Sequence, residues 1–131
     1  MSADLLEQLP AFVRSHQLAT IPDGDVDEDD YESEHVETED IADADIVLSF
    51  DKTAGEHRPV LDIDFPVQVI PSSTPGHFHL YIDKAMSWSK YERLLNALSA
   101  AGIIEEGYAS VSKERGYTSV RLPWVKKKAA A

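Results

Sequence analysis

The chain has no cysteine. No disulfide is available to it, which fits a reducing compartment. It also lacks any long apolar run: no stretch approaches the roughly 20 residues of a membrane-spanning helix. The first residues, MSADLLEQLPAFV, carry no basic segment followed by an apolar one of signal-peptide type. These absences lead to the expectation of a soluble cytoplasmic protein with no membrane partner. At 131 residues the chain is long enough to bury roughly two-thirds of its unfolded surface, so folding needs neither disulfide nor metal.

Positive charge is almost missing from the first part. Residues 1–50 hold 15 Asp and Glu against a single basic residue, Arg14, whereas residues 51–131 hold 9 against 11 Lys and Arg. A near-neutral region therefore follows an intensely acidic one, which argues against nonspecific nucleic-acid binding through a basic patch. The acidic run is 23–45, with 13 Asp and Glu and no Lys or Arg. Mutual repulsion predicts a solvated segment without regular structure. DGDVDEDDYESE looks superficially like a calcium loop, but the glycine required at the sixth position is replaced by Glu28 or Asp30, depending on the starting residue. The run instead offers an acidic surface, through Asp25, Asp27, Glu28, Asp29, Asp30, Glu32 and Glu34, for a basic protein partner or in imitation of a phosphate row.

The apolar periodicity divides the rest. Leu5, Leu6, Leu9, Phe12 and Val13 make one stripe of a short N-terminal helix over 3–17, with Pro10 as an interior breaker. IVLSFD at 46–51 reads as a strand, as do 58–65, VQVI at 67–70 and 77–83. The period of two puts Asp62 and Asp64 on one side of an extended chain, and His77, His79, Tyr81 and Asp83 on one side of another. Residues 87–102 read as the principal helix, capped by Ser87 or Ser89 and closed by Gly102, with Trp88, Tyr91, Leu94, Leu95 and Leu98 on its buried face. GYASVSKERGYTSVRLPW reads as a hairpin of strands near 108–113 and 117–122.

The expected architecture is α+β: a mainly antiparallel sheet of four to six strands, one principal helix packed on its apolar face, and a peripheral N-terminal helix. The expected divisions are an N-terminal helix in 1–22, an acidic segment in 23–45, an α+β domain in 46–125 and a basic tail in 126–131. Two carboxylates spaced as Asp62 and Asp64 suit a hard divalent cation, Mg²⁺ or Mn²⁺, that bridges to phosphates. His77 and His79 can donate to a phosphate. Ser72, Ser73, Thr74 and the amides near Gly76 can cradle an anion. The same alternation is also what any sheet with one solvated face displays.

LDIDF, then a Ser-rich turn, then GHFHLY resembles the first two motifs of the archaeo-eukaryotic primase superfamily, which includes phage and plasmid primase-polymerases. The resemblance implies that Asp62 and Asp64 hold the metal, that His79 contacts the phosphates of an incoming nucleotide, and that Ser73 is its small polar neighbour. VRLP at 120–123 resembles the family's R-x-P segment through Arg121. The match covers 58–83 and, loosely, 117–123. The family's third carboxylate has no clear counterpart, Glu106 and Glu114 being the nearest. The chain as a whole is also similar to small proteins of actinobacterial phages, which would put it in the host cytoplasm. Three functions follow as expectations. The first is a nucleotide- or nucleic-acid-related domain like a minimal primase-polymerase. The second is a non-enzymatic acidic interaction protein, and the third a structural or assembly component.

Overall fold

The computed structural model describes residues 2–22 and 34–126. It is α+β, with two antiparallel sheets and three α-helices among the described residues. The chain divides into two compact units, 1–62 and 63–131.

The first unit is organised around one strand. Helix α1 spans Ser2–Glu7, and a 3₁₀ turn follows at Ala11–Val13. Strand β1 then runs from His16 to Thr20, where the end of a helix over 3–17, kinked at Pro10 or starting near it, was expected. Pro10 ends the helical pattern, because it offers no N–H and restricts the residue before it. Arg14 fastens the break by donating from Nε to the carbonyl of Leu6 at 3.0 Å. Strand β2 is Val36–Thr38, β3 is Ile46–Asp51 and β4 is Glu56–His57, in the sheet order β2-β1-β3-β4. All pairs are antiparallel, and the register of β1 on β3 shifts between His16 and Leu18.

The small core consists of Val13, Leu18, Ala19 and Ile21, with His16, Gln17 and Asp51 also buried. Imidazole Nδ1 of His16 lies 2.7 Å from the carbonyl of Leu48, while its buried Nε2 has no hydrogen-bond partner among the described residues. The end of the acidic run is ordered into this sheet, contrary to the expectation of an unstructured 23–45. Glu37 and Glu39 stay exposed on β2 and just after it, so strand formation does not desolvate their charge. Lys52 pairs with Glu39, and the Gln17 carboxamide donates to the carbonyl of Thr38.

The second unit holds a β-hairpin and a helical hairpin. Strand β5 is Val67–Pro71 and β6 is Phe78–Ile82, in register from Val67 opposite Ile82 to Pro71 opposite Phe78. Helix α2, Trp88–Ala100, starts at Ser87, whose hydroxyl accepts from the Lys90 amide. Gly102 follows it with φ +77°, the left-handed conformation in which glycine escapes the Cβ clash. Helix α3 is Glu106–Arg115, which replaces the expected strand at 108–113. Ala, Lys, Glu and Arg favour helix there, Lys113 and Arg115 suit its C-terminus, and Gly116 closes it at φ +82°. Residues 118–122 make no ladder.

Helix α2 packs against α3, and Leu95, Ala109 and Ser112 are the buried residues of the pair. Within this unit α2 leaves the apolar face of the β5–β6 hairpin largely open, where the sequence suggested a helix packed on the sheet. Phe78, Val69 and Leu80 of the hairpin are 65%, 57% and 56% exposed.

Candidate functional site

Residues 58–63 form no strand, and Asp64 and Phe65 lie in a bend. The expected strand 58–65 is therefore corrected. Pro59 and Pro66 bracket it, each removing a donor from any ladder. Arg58 is drawn off toward Asp51, with Nε 2.7 Å from a carboxylate oxygen. Asp62 is the last residue of the first unit, and Asp64 falls in the second, which begins at Ile63. The Asp83 amide donates to the Pro66 carbonyl at 2.8 Å, and Lys84 Nζ stands 4.9 Å from the ring centre of Phe65. The chain after Asp64 thus enters the hairpin at its open end. The Ile70–His79 pair is four residues beyond Pro66, roughly 13 Å at a strand's rise.

The hairpin does unite the second half of the expected constellation. Directly opposed residues share a face, so the register puts Gln68 and Tyr81, then Ile70 and His79, on one side. His77 and Ser72 continue that side at the turn, where the Ser72 amide donates to the His77 carbonyl at 2.9 Å. Ser72 Oγ also accepts from the Thr74 amide at 3.1 Å, and Gly76 has φ +80°. These two features shape the Ser72–His77 turn. Ser73 is exposed in it. His79 is half-buried, and the side chains of Gln68, His77, His79 and Tyr81 make no hydrogen bond among the described residues. Gln68 joins this row only through its pairing with Tyr81; the sequence signal for it was the alternation of VQVI.

The opposite face is wholly apolar: Val67, Val69, Pro71, Phe78, Leu80 and Ile82. Arg121 is exposed in the segment after α3. Glu34 is exposed, and Asp25, Asp27, Glu28, Asp29, Asp30 and Glu32 lie outside the described residues.

The most structured polar cluster was not foreseen. Asp51, 2% exposed, accepts from Ser15 Oγ at 2.8 Å, Arg58 Nε at 2.7 Å and the amides of Thr53 and Ala54 at 2.9 and 3.2 Å. The Arg58 guanidinium, then the Ser15 hydroxyl, holds its carboxyl far below the usual carboxylate range, with burial opposing. All four donors stabilise the charged form, so the cluster ties β1, β3 and the β3–β4 turn together. Nearby, Ser49 Oγ and His57 Nδ1 are 2.8 Å apart. Both pairs span segments that the sequence separates by turns, so no local spacing announced them. Between α2 and α3 a polar groove of about 320 Å³ is lined by Asn96, Ser99, Glu106 and Lys113 among others.

No group of three or more His, Asp or Glu residues able to hold a metal ion occurs among the described residues. No helix among them is long and apolar enough to cross a membrane. No protein-family model, no curated protein and no solved structure matches the chain.

Proposed function

We propose that this protein binds a phosphate-bearing ligand, a nucleotide or nucleic acid, on the polar face of the β5–β6 hairpin, and that it acts by binding rather than by polymerisation. The observation that carries this reading is the row of Gln68, His77, His79 and Tyr81, four hydrogen-bonding side chains on one face with no partner among the described residues. Imidazole N–H, phenol O–H and carboxamide N–H all donate to phosphate oxygens. The Tyr81 ring also offers a stacking surface for a base. Residues 63–131 hold nine Lys and Arg against six Asp and Glu, a balance that favours a polyanion. The resemblance of GHFHLY to the second primase-polymerase motif supports the same ligand class.

The resemblance assigns a metal to Asp62 and Asp64, and no third His, Asp or Glu joins them in a metal-binding group among the described residues. Calorimetric titration with a nucleoside triphosphate and with a short single-stranded oligonucleotide tests the reading. A lost hydrogen bond to a charged group costs about 1.5–3 kcal/mol, so His79→Ala should weaken binding at least tenfold. Asp62→Ala/Asp64→Ala should bind as wild type, with or without Mn²⁺. Equal binding by wild type and His77→Ala/His79→Ala overturns the reading.

A second reading, a protein-interaction module, is favoured by the apolar face on the other side of the same hairpin. A two-stranded hairpin that leaves six apolar residues in water is marginal alone. The acidic residues of 23–34 would add electrostatic capture of a basic protein, which weakens steeply with salt. Binding of polylysine that is salt-insensitive, or unchanged by deletion of 23–33, counts against that part.

A further inference from the structure

We propose that the segment 117–122 of one copy adds as a strand to the outer edge of β6 in a second copy, and that two copies exchange this strand reciprocally.

Two unsatisfied β-surfaces occur in the same unit. One is the hairpin, whose two strands pair, among the described residues, only with each other, so each leaves there a free edge of backbone donors and acceptors. The other is 118–122, which runs without turn, bend or ladder. Among the described residues none of its amides donates a backbone hydrogen bond, and its only backbone engagement of that kind is the Leu122 carbonyl accepting from Val125. Unpaired backbone of this length seeks a sheet.

The chemistry of the two surfaces matches. Thr118, Val120 and Leu122 alternate with Tyr117, Ser119 and Arg121, the period of two that a strand with one apolar side requires. Laid beside β6, Val120 and Leu122 extend the face of Phe78, Leu80 and Ile82. Val120 is 43% and Leu122 53% exposed. The β6 edge is preferred to that of β5 because β5 ends in Pro71 and follows Pro66, while Phe78–Ile82 has no proline.

Exchange between copies is favoured over closure within one because this segment is fastened elsewhere in its own chain. The Thr118 hydroxyl lies 2.6 Å from that of Tyr91 on α2, and the Tyr108 hydroxyl of α3 donates to the Ser119 carbonyl at 3.0 Å. The helical hairpin thereby presents the strand, and the β-hairpin receives one. Exchange through a swapped element is a low-cost route to a two-fold dimer, since each copy gives and takes the same surface. On the phosphate reading above, on which this consequence alone rests, Arg121 of the second copy would join His79 and Tyr81 on the polar face.

The absence of cysteine makes the test clean. Wild type should sediment as a dimer in the micromolar range. Val120→Pro, which removes an N–H and cannot continue a ladder, should raise the dimer dissociation constant at least tenfold, while Val120→Thr should not. In a mixture of Leu80→Cys and Val120→Cys chains, oxidation should give the mixed disulfide in excess over either symmetric one. A monomeric wild type, a dimer indifferent to Val120→Pro, or predominance of the symmetric disulfides overturns the proposal. A dimer with intact exchange but no nucleotide binding removes only the Arg121 consequence.

Discussion

Leu95→Ala tests whether the α2–α3 pair is the stabilising core of the second unit. Leu95 is 2% exposed, and the substitution removes three buried carbons. At about 0.8 kcal/mol per carbon the lost transfer term is about 2.4 kcal/mol. The cavity adds a further part at about 24 cal/mol per Å³ left unfilled. The other buried residues of the pair, Ala109 and Ser112, are small, so the helices can close partly on the gap, and about 3 kcal/mol is expected in all. A unit of 69 residues has about 3–10 kcal/mol of stability in total, so this one change should remove a third or more of it.

The assay is urea unfolding followed by tryptophan fluorescence. Both tryptophans lie in this unit; Trp88 is half-buried against Tyr91, with ring centres 5.5 Å apart, and Trp124 is 75% exposed. The signal therefore reports the second unit and follows Trp88. With a slope of about 1 kcal/mol per M, the midpoint should fall by about 3 M. Val111→Ala, at an exposed position of α3, should shift it by less than about 0.5 M. A Leu95→Ala shift as small as that of Val111→Ala would refute the reasoning.

Two further outcomes follow from the hydrogen bonds. Ser87→Ala should cost about 1 kcal/mol in the same unfolding assay, because its hydroxyl accepts from the Lys90 amide at 3.3 Å. Ser89→Ala, at the rival cap position, should cost much less. Asp51 gives the first unit an acid limit. Its carboxyl titrates below its unfolded value, so the stabilisation is complete above about pH 4 and is lost as pH falls from there toward the folded value. The amide signals of His16–Ile21 should fade over that acid range in wild type. In Asp51→Asn they should be weaker at neutral pH and change less on acidification; parallel acid profiles would show that Asp51 is not the group responsible.

What the sequence determined by itself was local. The strands at 46–51, 67–71 and 78–82 and the helix at 88–100 follow from alternation or three-and-four spacing, with a serine cap and a left-handed glycine at the ends. The α+β class and the shared side of His77, His79 and Tyr81 follow from the same periods, which a strand imposes wherever it lies. The misreadings came where two periods or two partners competed. GYASVSKER carries both a weak alternation and strong helix formers, and burial of Ala109 and Ser112 against α2 decided for helix. LDIDF alternates well but sits between two prolines and pairs with no strand among the described residues, so it stays irregular, and Asp62 and Asp64 fall on either side of the boundary between units. HQLAT became the central strand of the first sheet because β2 and β3 arrive from residues 16–35 positions away to pair with it. The Asp51 cluster, drawn from Ser15, Thr53, Ala54 and Arg58, has the same origin. Pairing between distant segments leaves no period in the sequence. It depends on which backbone edges meet, and only the tertiary structure decided that.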